Sequence, residues 1–191
     1  MGKLIYVMNT SLDGYVADRD GKFDWSVPNA ELFSAFVELQ QPVGTYLYGR
    51  RLYESMAVWE TLHVEPGAPS LIPGLGVLEK EFADLWRGAD KIVFSSTLER
   101  ASTPRTTIER AFDPERIRRL KATSERDITV GGPCLAAAML AANLVDELHA
   151  VIHPIVVGGG NPWLPPDVRI PLELLSERRM GPFVYLKYRT T

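Results

Sequence analysis

The chain has very little cysteine and histidine. Its 191 residues include one cysteine and three histidines. A lone Cys134 excludes an intrachain disulfide framework, so the composition predicts a reducing, cytoplasmic location. His63, His149 and His153 do not have the spacing of metal ligands, and we predict no metal site.

Long apolar runs and a large excess of one charge are also missing. No apolar segment approaches the length that crosses a membrane, and the first residues lack the layout of a signal peptide. A formal net charge of −3 gives no general attraction to nucleic acid or acidic membranes. The basic run over residues 115–121 is more typical of a solvated helix face. We therefore expect neither nucleic acid nor a membrane as a partner.

The remaining composition is that of a globular protein, with 46% hydrophobic and 24% charged residues. The length fits one domain with a substantial core. Because the sequence has no internal repeat and no linker-like segment, we predict a single domain over residues 1–191.

Short apolar segments alternate with helical patterns along most of the chain. Strands are predicted at residues 4–8, 45–48, 91–94, 106–109, 128–130 and 147–157, whereas residues 15–17 are too short for a strand prediction. Helical patterns follow Asn29, Arg50, Asp113 and Pro133 and cover residues 78–86, and residues 60–76 form a long irregular segment. The alternation predicts a three-layer α/β domain with a mainly parallel sheet. Strands at 172–176 and 183–188 have no helix between them, which predicts an antiparallel C-terminal edge.

The segment Asp127-Ile-Thr-Val-Gly-Gly-Pro-Cys-Leu-Ala-Ala-Ala-Met-Leu140 combines a short strand, two glycines and a helix start. Glycines let the backbone approach a phosphate, and the N–H groups of a first helical turn point towards it. Pro133 suits the first helical position. A plain tight turn has the same appearance, so this segment alone leaves phosphate binding and a structural turn equally open.

Two other predicted strands end in groups that suit phosphate. They are followed by Gly49-Arg50-Arg51 and by Ser95-Ser96. Arginine offers a planar fork to phosphate, and serine hydroxyls donate further hydrogen bonds. Each pair alone is more typical of an ordinary strand end. Since ligands of such sheets bind beyond the carboxyl ends of the strands, three such ends together favour a dinucleotide with a 2′-phosphate.

Four motifs occur in the order found in the dihydrofolate reductase superfamily. They are Met8-Asn-Thr-Ser-Leu-Asp-Gly-Tyr-Val-Ala17, Leu47-Tyr-Gly-Arg-Arg-Leu-Tyr-Glu-Ser55, Val93-Phe-Ser-Ser96 and Ile128-Thr-Val-Gly-Gly-Pro133. The chain most resembles the branch represented by the reductase domain of bacterial riboflavin biosynthesis, whose glycine-rich loop is similar to residues 154–162. The resemblance spans residues 4–188 and implies a dihydrofolate-reductase-like fold.

The resemblance implies NADPH as the cofactor and hydride donor. By this resemblance, Gly131 and Gly132 are joined by a cis peptide bond and lie against the pyrophosphate. Gly49, Arg50 and Arg51 bind the cofactor phosphates. Ser95 and Ser96 lie beside the 2′-phosphate, where Thr97 and Arg100 are candidate additional contacts. Two residues depart from the family pattern. Leu52 stands where many members carry threonine, and Pro133 where many carry glycine or serine, so a hydroxyl contact and one phosphate-binding N–H are lost at this cofactor site.

Hydride transfer to a polarised C=N or C=O bond needs a proton source, and Asp13 and Glu31 are the two candidates. Asp13 lies in the family's first active-site loop, but Asp-Gly is equally typical of a turn. Glu31 follows a segment similar to one in the folate reductases, with one additional residue. It either faces the substrate or, as the pattern favours, is a first-turn glutamate stabilised by the helix dipole.

Trp25 and Gly159 are the candidate substrate contacts. Trp25 either stacks on a planar heterocycle or caps the core. Gly159 belongs to the glycine-rich loop that resembles that of the family. Cys134 lies near a helix N-terminus, where a thiolate is stabilised, but a small buried cysteine is the favoured interpretation.

We predict an NADPH-dependent reductase of a small planar nitrogen heterocycle, of pterin or ribosylamino-pyrimidine type. With one cysteine the chain cannot carry the P-C-x-x-C zinc signature of the deaminase that accompanies some relatives, so a role in riboflavin synthesis does not follow. The alternative is a nucleotide-binding module without turnover. Small residues at 136–138 permit close helix packing, and the resemblance implies a homodimer.

Overall fold

Strands and helices alternate through the first three quarters of the computed structural model, which describes residues 1–65, 67 and 69–191. The strands are β1 (Leu4–Ser11), β2 (Tyr15–Ala17), β3 (Val43–Gly49), β4 (Asp90–Phe94), β5 (Thr106–Glu109), β6 (Asp127–Gly131), β7 (Glu147–His153), β8 (Asn161–Pro162), β9 (Leu172–Met180) and β10 (Phe183–Thr190). The helices are α1 (Ala30–Gln40), α2 (Arg50–Met56), α3 (Gly76–Gly88), α4 (Pro114–Thr123) and α5 (Pro133–Ala141).

Eight strands form one sheet in the order β5-β4-β3-β6-β1-β7-β10-β9. The first six are parallel, and β10 and β9 add antiparallel at one edge. Parallel neighbours need long crossover connections, whereas β9 and β10 are joined by a tight turn at Gly181 with φ +61°. The predicted α/β architecture with its antiparallel C-terminal edge is confirmed.

The two faces of the sheet carry separate apolar clusters. On β3, Tyr46 and Tyr48 pack with residues of α1 and α3, while the intervening Leu47 packs with residues of α4 and α5. This alternation is the two-residue period of a strand that is covered on both sides. Helices therefore lie on both faces, as the three-layer prediction requires.

Helix starts follow the predicted capping positions. The Asn29 side chain accepts a hydrogen bond of 2.8 Å from the Leu32 N–H and begins α1. Asp113 accepts one of 2.9 Å from the Glu115 N–H, and Pro114 occupies the first turn of α4. Both caps satisfy N–H groups that the helix itself leaves free.

The structure differs from the sequence prediction mainly in short or irregular segments. Residues 15–17 do form a strand, because β2 pairs with the two-residue β8, which the sequence did not indicate. The strand predicted at 147–157 ends at His153, where Pro154 removes a ladder donor. Within the irregular segment predicted at 60–76, residues 66 and 68 lie outside the described part of the chain. None of the helices in that part is both long and apolar enough to span a bilayer.

Candidate functional site

Three turns meet at the carboxyl edge of the parallel strands. In the sheet register Gly49 lies beside Phe94, and Tyr48 beside Gly131. The turn after β3, the turn after β4 and the glycine pair after β6 therefore come from adjacent strands that end at the same level. The structure brings together the residues predicted to bind the cofactor.

Arg50 connects the first two turns directly. Its Nη1 donates a hydrogen bond of 3.0 Å to the Thr97 hydroxyl, and its Nε donates one of 2.7 Å to Glu54 Oε1. The Arg50 side chain is 47% exposed, so the guanidinium is held in place and still reaches solvent. Arg51, Ser96 and Arg100 are exposed at the same edge.

Ser95 and Ser96 have different surroundings. Ser95 is buried, and its hydroxyl oxygen accepts hydrogen bonds from the backbone N–H groups of Thr97 (3.3 Å) and Leu98 (3.0 Å). Arg110 donates to the Ser95 and Leu98 carbonyls at 3.1 and 2.7 Å. Ser95 thus shapes the turn, and Ser96 is exposed.

The glycine pair forms the predicted turn but not the predicted cis peptide bond. Gly132 has φ +90° and ψ 128°, which glycine adopts without strain, and it caps α5. The expected cis bond between Gly131 and Gly132 is wrong, because all peptide bonds described, including this one, are trans. The chain changes direction through the positive φ of Gly132 instead.

Leu52 packs directly over Gly131. A Cβ added to Gly131 would collide with Leu52 Cδ2 and come within 3.1 Å of the Tyr48 ring. Gly49 differs, since a Cβ there would meet no atom of residues 1–65, 67 and 69–191 within 4 Å. The family departure at Leu52 therefore places an apolar side chain against the glycine turn, where a hydroxyl was expected.

Asp13 holds the glycine-rich loop after β7. Its carboxylate accepts hydrogen bonds from the backbone N–H groups of Val157 (3.1 Å) and Gly158 (2.8 Å). The Ser11 hydroxyl and then these N–H groups lower the pKa of Asp13, so the carboxyl is ionised at neutral pH. An ionised Asp13 carboxylate can accept hydrogen bonds from the loop but has no proton to donate, so a structural role fits it better than that of a proton donor.

Gly159 lies in the loop that Asp13 holds. It has φ +134°, and a Cβ there would come within 2.8 Å of Arg19 Nε. Arg19 Nη2 also donates a hydrogen bond of 3.1 Å to the Gly158 carbonyl. The loop is therefore fixed from both sides by side chains of the β1–α1 region, and Gly159 cannot carry a side chain without moving Arg19.

Glu31 and Asp13 lie in different environments. Glu31 is in the first turn of α1, 46% exposed, with Oε1 at 3.9 Å from Arg178 Nη2 on β9. In the sheet order, β9 is three strands away from β1, which carries the Asp13 loop. The structure therefore groups Glu31 with the sheet edge, and its catalytic role stays a prediction.

Trp25 lies next to a residue that the sequence reasoning did not select for the site. Its ring is 5.4 Å from the His153 ring, which is in turn 4.6 Å from Phe183. The Trp25 Nε1, both ring nitrogens of His153 and the Asn9 Oδ1 are buried without a hydrogen-bond partner in the described residues. Asn9 and His153 could have been selected as site candidates from the sequence, because each is a polar residue at or near the end of an otherwise apolar strand.

Cys134 is exposed, so the expected burial is wrong. The buried positions of α5 are Ala136, Met139 and Leu140. At about 100° per residue, Cys134 lies roughly 200° from Ala136 around the helix and therefore turns away from the sheet.

The sheet order, the two covered faces and the convergent turns define a dihydrofolate-reductase-like α/β domain. The chain belongs to the RibD C-terminal domain family, whose sequence model matches residues 2–186. It is 26% identical over 178 residues to the uncharacterized protein YyaP of Bacillus subtilis (strain 168), covering 92% of this chain and 88% of YyaP. Family membership supports a reductase-type function.

Solved structures share the fold at low sequence identity. A putative riboflavin biosynthesis protein from Shewanella sp. PV-4 has a TM-score of 0.74 at 21% identity, with 99% of both chains covered. A pyrimidine reductase-like protein from Corynebacterium diphtheriae has a TM-score of 0.69 at 14% identity, covering 100% of this chain and 92% of that chain. The deaminase/5-amino-6-(5-phosphoribosylamino)uracil reductase from Thermotoga maritima has a TM-score of 0.67 at 18% identity, and this chain covers 57% of it.

Proposed function

We propose that the protein is an NADPH-dependent reductase of a small planar nitrogen heterocycle, of pterin or ribosylamino-pyrimidine type. The observation that carries the proposal is the meeting of three turns at one sheet edge, with Arg50 bonded to Thr97 across two of them. Membership in the RibD C-terminal domain family supports the reaction class.

The residues present at this edge suit a phosphorylated dinucleotide. Arg50, Arg51 and Ser96 are exposed there, and the face of Gly49 is open. We assign Arg50 and Arg51 to the phosphates, including the 2′-phosphate, which Ser96 also contacts, and the Gly131–Gly132 turn to the pyrophosphate. Bound NADPH would supply the hydride, whereas the protein supplies orientation and a pocket shielded from water.

In this proposal Asp13 is a positioning residue. Its ionised carboxylate fixes the loop that contains Gly158 and Gly159 beside the carboxyl end of β1. Asp13→Asn retains one acceptor oxygen, and Asp13→Ala retains none. We expect Asp13→Asn to keep much of the kcat and Asp13→Ala to lose about tenfold in kcat/KM, with faster amide exchange at Gly158. A large loss of kcat in Asp13→Asn, with a changed pH profile of the remaining activity, would instead make Asp13 the proton donor.

One observation favours the alternative of a nucleotide-binding module without turnover. Leu52 packs against Gly131, and Pro133 removes an N–H from the same turn. Both changes reduce the polar contacts that a reacting cofactor would use. Tight NADPH binding without oxidation of the nicotinamide by dihydrofolate or 5-amino-6-(5-phosphoribosylamino)uracil would favour the module.

The test of cofactor binding compares NADPH with NADH. Replacing Arg50 and Arg51 together by alanine should raise the Kd for NADPH at least about tenfold and the Kd for NADH much less, because only NADPH carries the 2′-phosphate. Arg119→Ala, which removes an exposed arginine of α4, is the matched control. Equal losses for the two cofactors would refute the assignment of the arginines.

We also propose that the protein forms a homodimer along β9. β9 is the outermost strand of the sheet, and its Leu172, Leu174 and Leu175 are 40%, 49% and 39% exposed. Its acidic Glu173 precedes its basic Arg178, so an antiparallel pairing of two copies brings opposite charges together. Leu174→Lys should shift the sedimentation of a dimer towards the monomer, whereas Val77→Lys, at an exposed position of α3, should not. A monomeric wild-type protein would refute this assembly.

A further inference from the structure

Four buried polar atoms lie near the carboxyl ends of β1 and β7 without a partner in the described residues. They are Asn9 Oδ1, Trp25 Nε1 and the two ring nitrogens of His153. His153 is 1% exposed, enclosed by the rings of Trp25 and Phe183 at 5.4 and 4.6 Å. Buried polar groups are almost always hydrogen-bonded, so a cluster of four without partners indicates that something else supplies them.

The cluster lies on one face of the sheet. Asn9 is the register neighbour of Val151, and Ser11 that of His153, so these side chains project to the same side. Val151 packs with Leu32 of α1, which identifies the face covered by α1. Trp25 precedes α1, so all three members of the cluster come from the elements that enclose this face.

The hydrogen-bonding capacity of the cluster is mixed. Trp25 Nε1 can only donate, and the unpartnered amide oxygen of Asn9 can only accept. Burial lowers the pKa of His153, against a weaker opposite influence of the Trp25 backbone, which lies outside hydrogen-bond geometry. The neutral imidazole then offers one donor and one acceptor. Donors and acceptors side by side match the edge of a ring that carries N–H and C=O groups.

The cluster also lies next to the predicted cofactor turn. In the sheet, β1 stands between β6, which ends at Gly131, and β7, which ends at His153. The register puts Val130 level with Leu148, so Gly131 is level with Val7 on β1 and with His149 on β7. With about 4.8 Å between strands and about 3.3 Å per residue, Asn9 lies about 8 Å and His153 about 16 Å from Gly131. A ring bound at the cluster would therefore lie within reach of the nicotinamide of a cofactor whose pyrophosphate is held at the turn.

We propose that Asn9, Trp25 and His153 form the specificity site for the substrate, which recognises the donor–acceptor edge of a planar lactam-type heterocycle. This inference rests on the proposed function, since it places the acceptor of the reduction beside the cofactor turn.

The experiment measures ring binding by calorimetry, separately from turnover. The probes are 5,6-diaminouracil and pterin, with 5,6-diamino-1,3-dimethyluracil as the matched ring that has lost its two ring N–H donors. The variants are Trp25→Phe, which removes one N–H, Asn9→Leu and His153→Phe, which keeps an aromatic ring. Tyr46→Phe is the matched control. The Tyr46 hydroxyl is also buried without a partner among the residues that the structure describes, but it lies on β3, towards Arg126.

We expect the lactam rings to bind and the dimethyl ring to bind at least about tenfold more weakly. Trp25→Phe and His153→Phe should each weaken lactam binding about tenfold and leave the Kd for NADPH within twofold of wild type. Tyr46→Phe should leave the Kd for the lactam rings within twofold of wild type. If another variant fails to fold, the dimethyl ring and Trp25→Phe still test the specificity site.

Each outcome separates this inference from the proposed function. The specificity site would be overturned if the Kd of the ring were unchanged by methylation, or unchanged by both Trp25→Phe and His153→Phe. It would also be overturned if the protein bound no ring while its affinity for NADPH was intact. Ring binding that depends on the cluster in a protein without affinity for NADPH would overturn the proposed reductase and retain the recognition site.

Discussion

His149 and His153 lie four residues apart on β7, on the same face of the sheet, and both are buried. Their surroundings are opposite. His149 Nε2 is 3.0 Å from Glu147 Oε2, and its Nδ1 is 2.9 Å from the Tyr185 hydroxyl. His153 has neither nitrogen bonded in the described residues. One end of β7 therefore has a complete polar network, and the other end has an incomplete one.

The complete network can be assigned proton by proton. Burial raises the pKa of Glu147, but hydrogen bonds from Lys3, Lys187 and His149 outweigh burial and lower the pKa to about 2. An ionised carboxylate only accepts, so His149 donates through Nε2 and accepts at Nδ1 from Tyr185. Every group in this network is satisfied within the chain, which is the signature of a structural role. The contrast with His153 separates polar residues that stabilise the fold from those available to a ligand.

The strongest way to break the comparison is to remove the carboxylate of the complete network. Glu147→Ala leaves the ammonium groups of Lys3 and Lys187, each 2.9 Å from the carboxylate, without their partner. We expect the free energy of unfolding in urea to fall by about 3 kcal/mol, at the low end of the range for a broken buried pair because the lysines reach solvent. Asp90→Ala, which removes an exposed ion pair with Arg105, should cost at most about 1 kcal/mol. Equal small losses would assign no structural role to the network.

The pH dependence of stability sharpens the same contrast. Burial lowers the pKa of His149 from 6.5 to about 4, against the opposing hydrogen bond of Glu147. Below pH 6.5 the unfolded chain binds a proton at this residue and the folded chain does not, so stability falls as pH falls from 6.5 towards 4. The contribution at pH 5 is about 2 kcal/mol relative to pH 7. His149→Phe should lose this part of the pH dependence.

Urea unfolding at pH 7 and pH 5 measures the difference. Tyr185→Phe is the control for this experiment, because it removes a hydrogen bond and leaves the buried imidazole to titrate. An unchanged pH dependence in His149→Phe would mean that His149 is protonated in the folded protein at pH 5.

Much of the architecture was predictable, because the period of apolar residues along a strand is local. The alternation of Tyr46, Leu47 and Tyr48 between the two covered faces is an example, and so are the helix caps at Asn29 and Asp113. The turns that form the candidate cofactor site were also predictable, since parallel strands that end together bring their turns together.

The contacts that define the rest of the site join distant parts of the chain. Asp13 binds the backbone of Val157 and Gly158, which is 144 and 145 residues further along, and no local pattern encodes that clamp. Leu52 and Gly131 meet only because α2 follows β3, the neighbour of β6. The surroundings of His149 depend on Tyr185 of β10, and those of His153 depend on Trp25 in the segment before α1. Because both contacts come from distant parts of the chain, the two histidines look alike in the sequence.

A smaller effect separates two tyrosines that differ in the same way as the histidines. The Tyr185 hydroxyl is bonded to His149, whereas the Tyr46 hydroxyl is buried without a partner in the described part of the chain. Burial raises the pKa of Tyr185 to about 12, so its hydroxyl keeps its proton. Tyr185→Phe should cost about 1 kcal/mol of unfolding free energy, and Tyr46→Phe should cost almost none. Equal costs would contradict the assignment of the Tyr185 hydrogen bond.

The smallest change in stability is expected at His153, where the comparison is most informative. His153→Phe removes two buried nitrogens that have no partner in the described residues and keeps an aromatic ring between Trp25 and Phe183. Because an unbonded buried polar group is itself destabilising, the free energy of unfolding should stay constant or rise by up to about 1 kcal/mol. His149→Phe, the matched change in the bonded environment, should lower it. A loss at His153 as large as that at His149 would mean that the folded protein satisfies His153 without a ligand, and the distinction between the two ends of β7 would disappear.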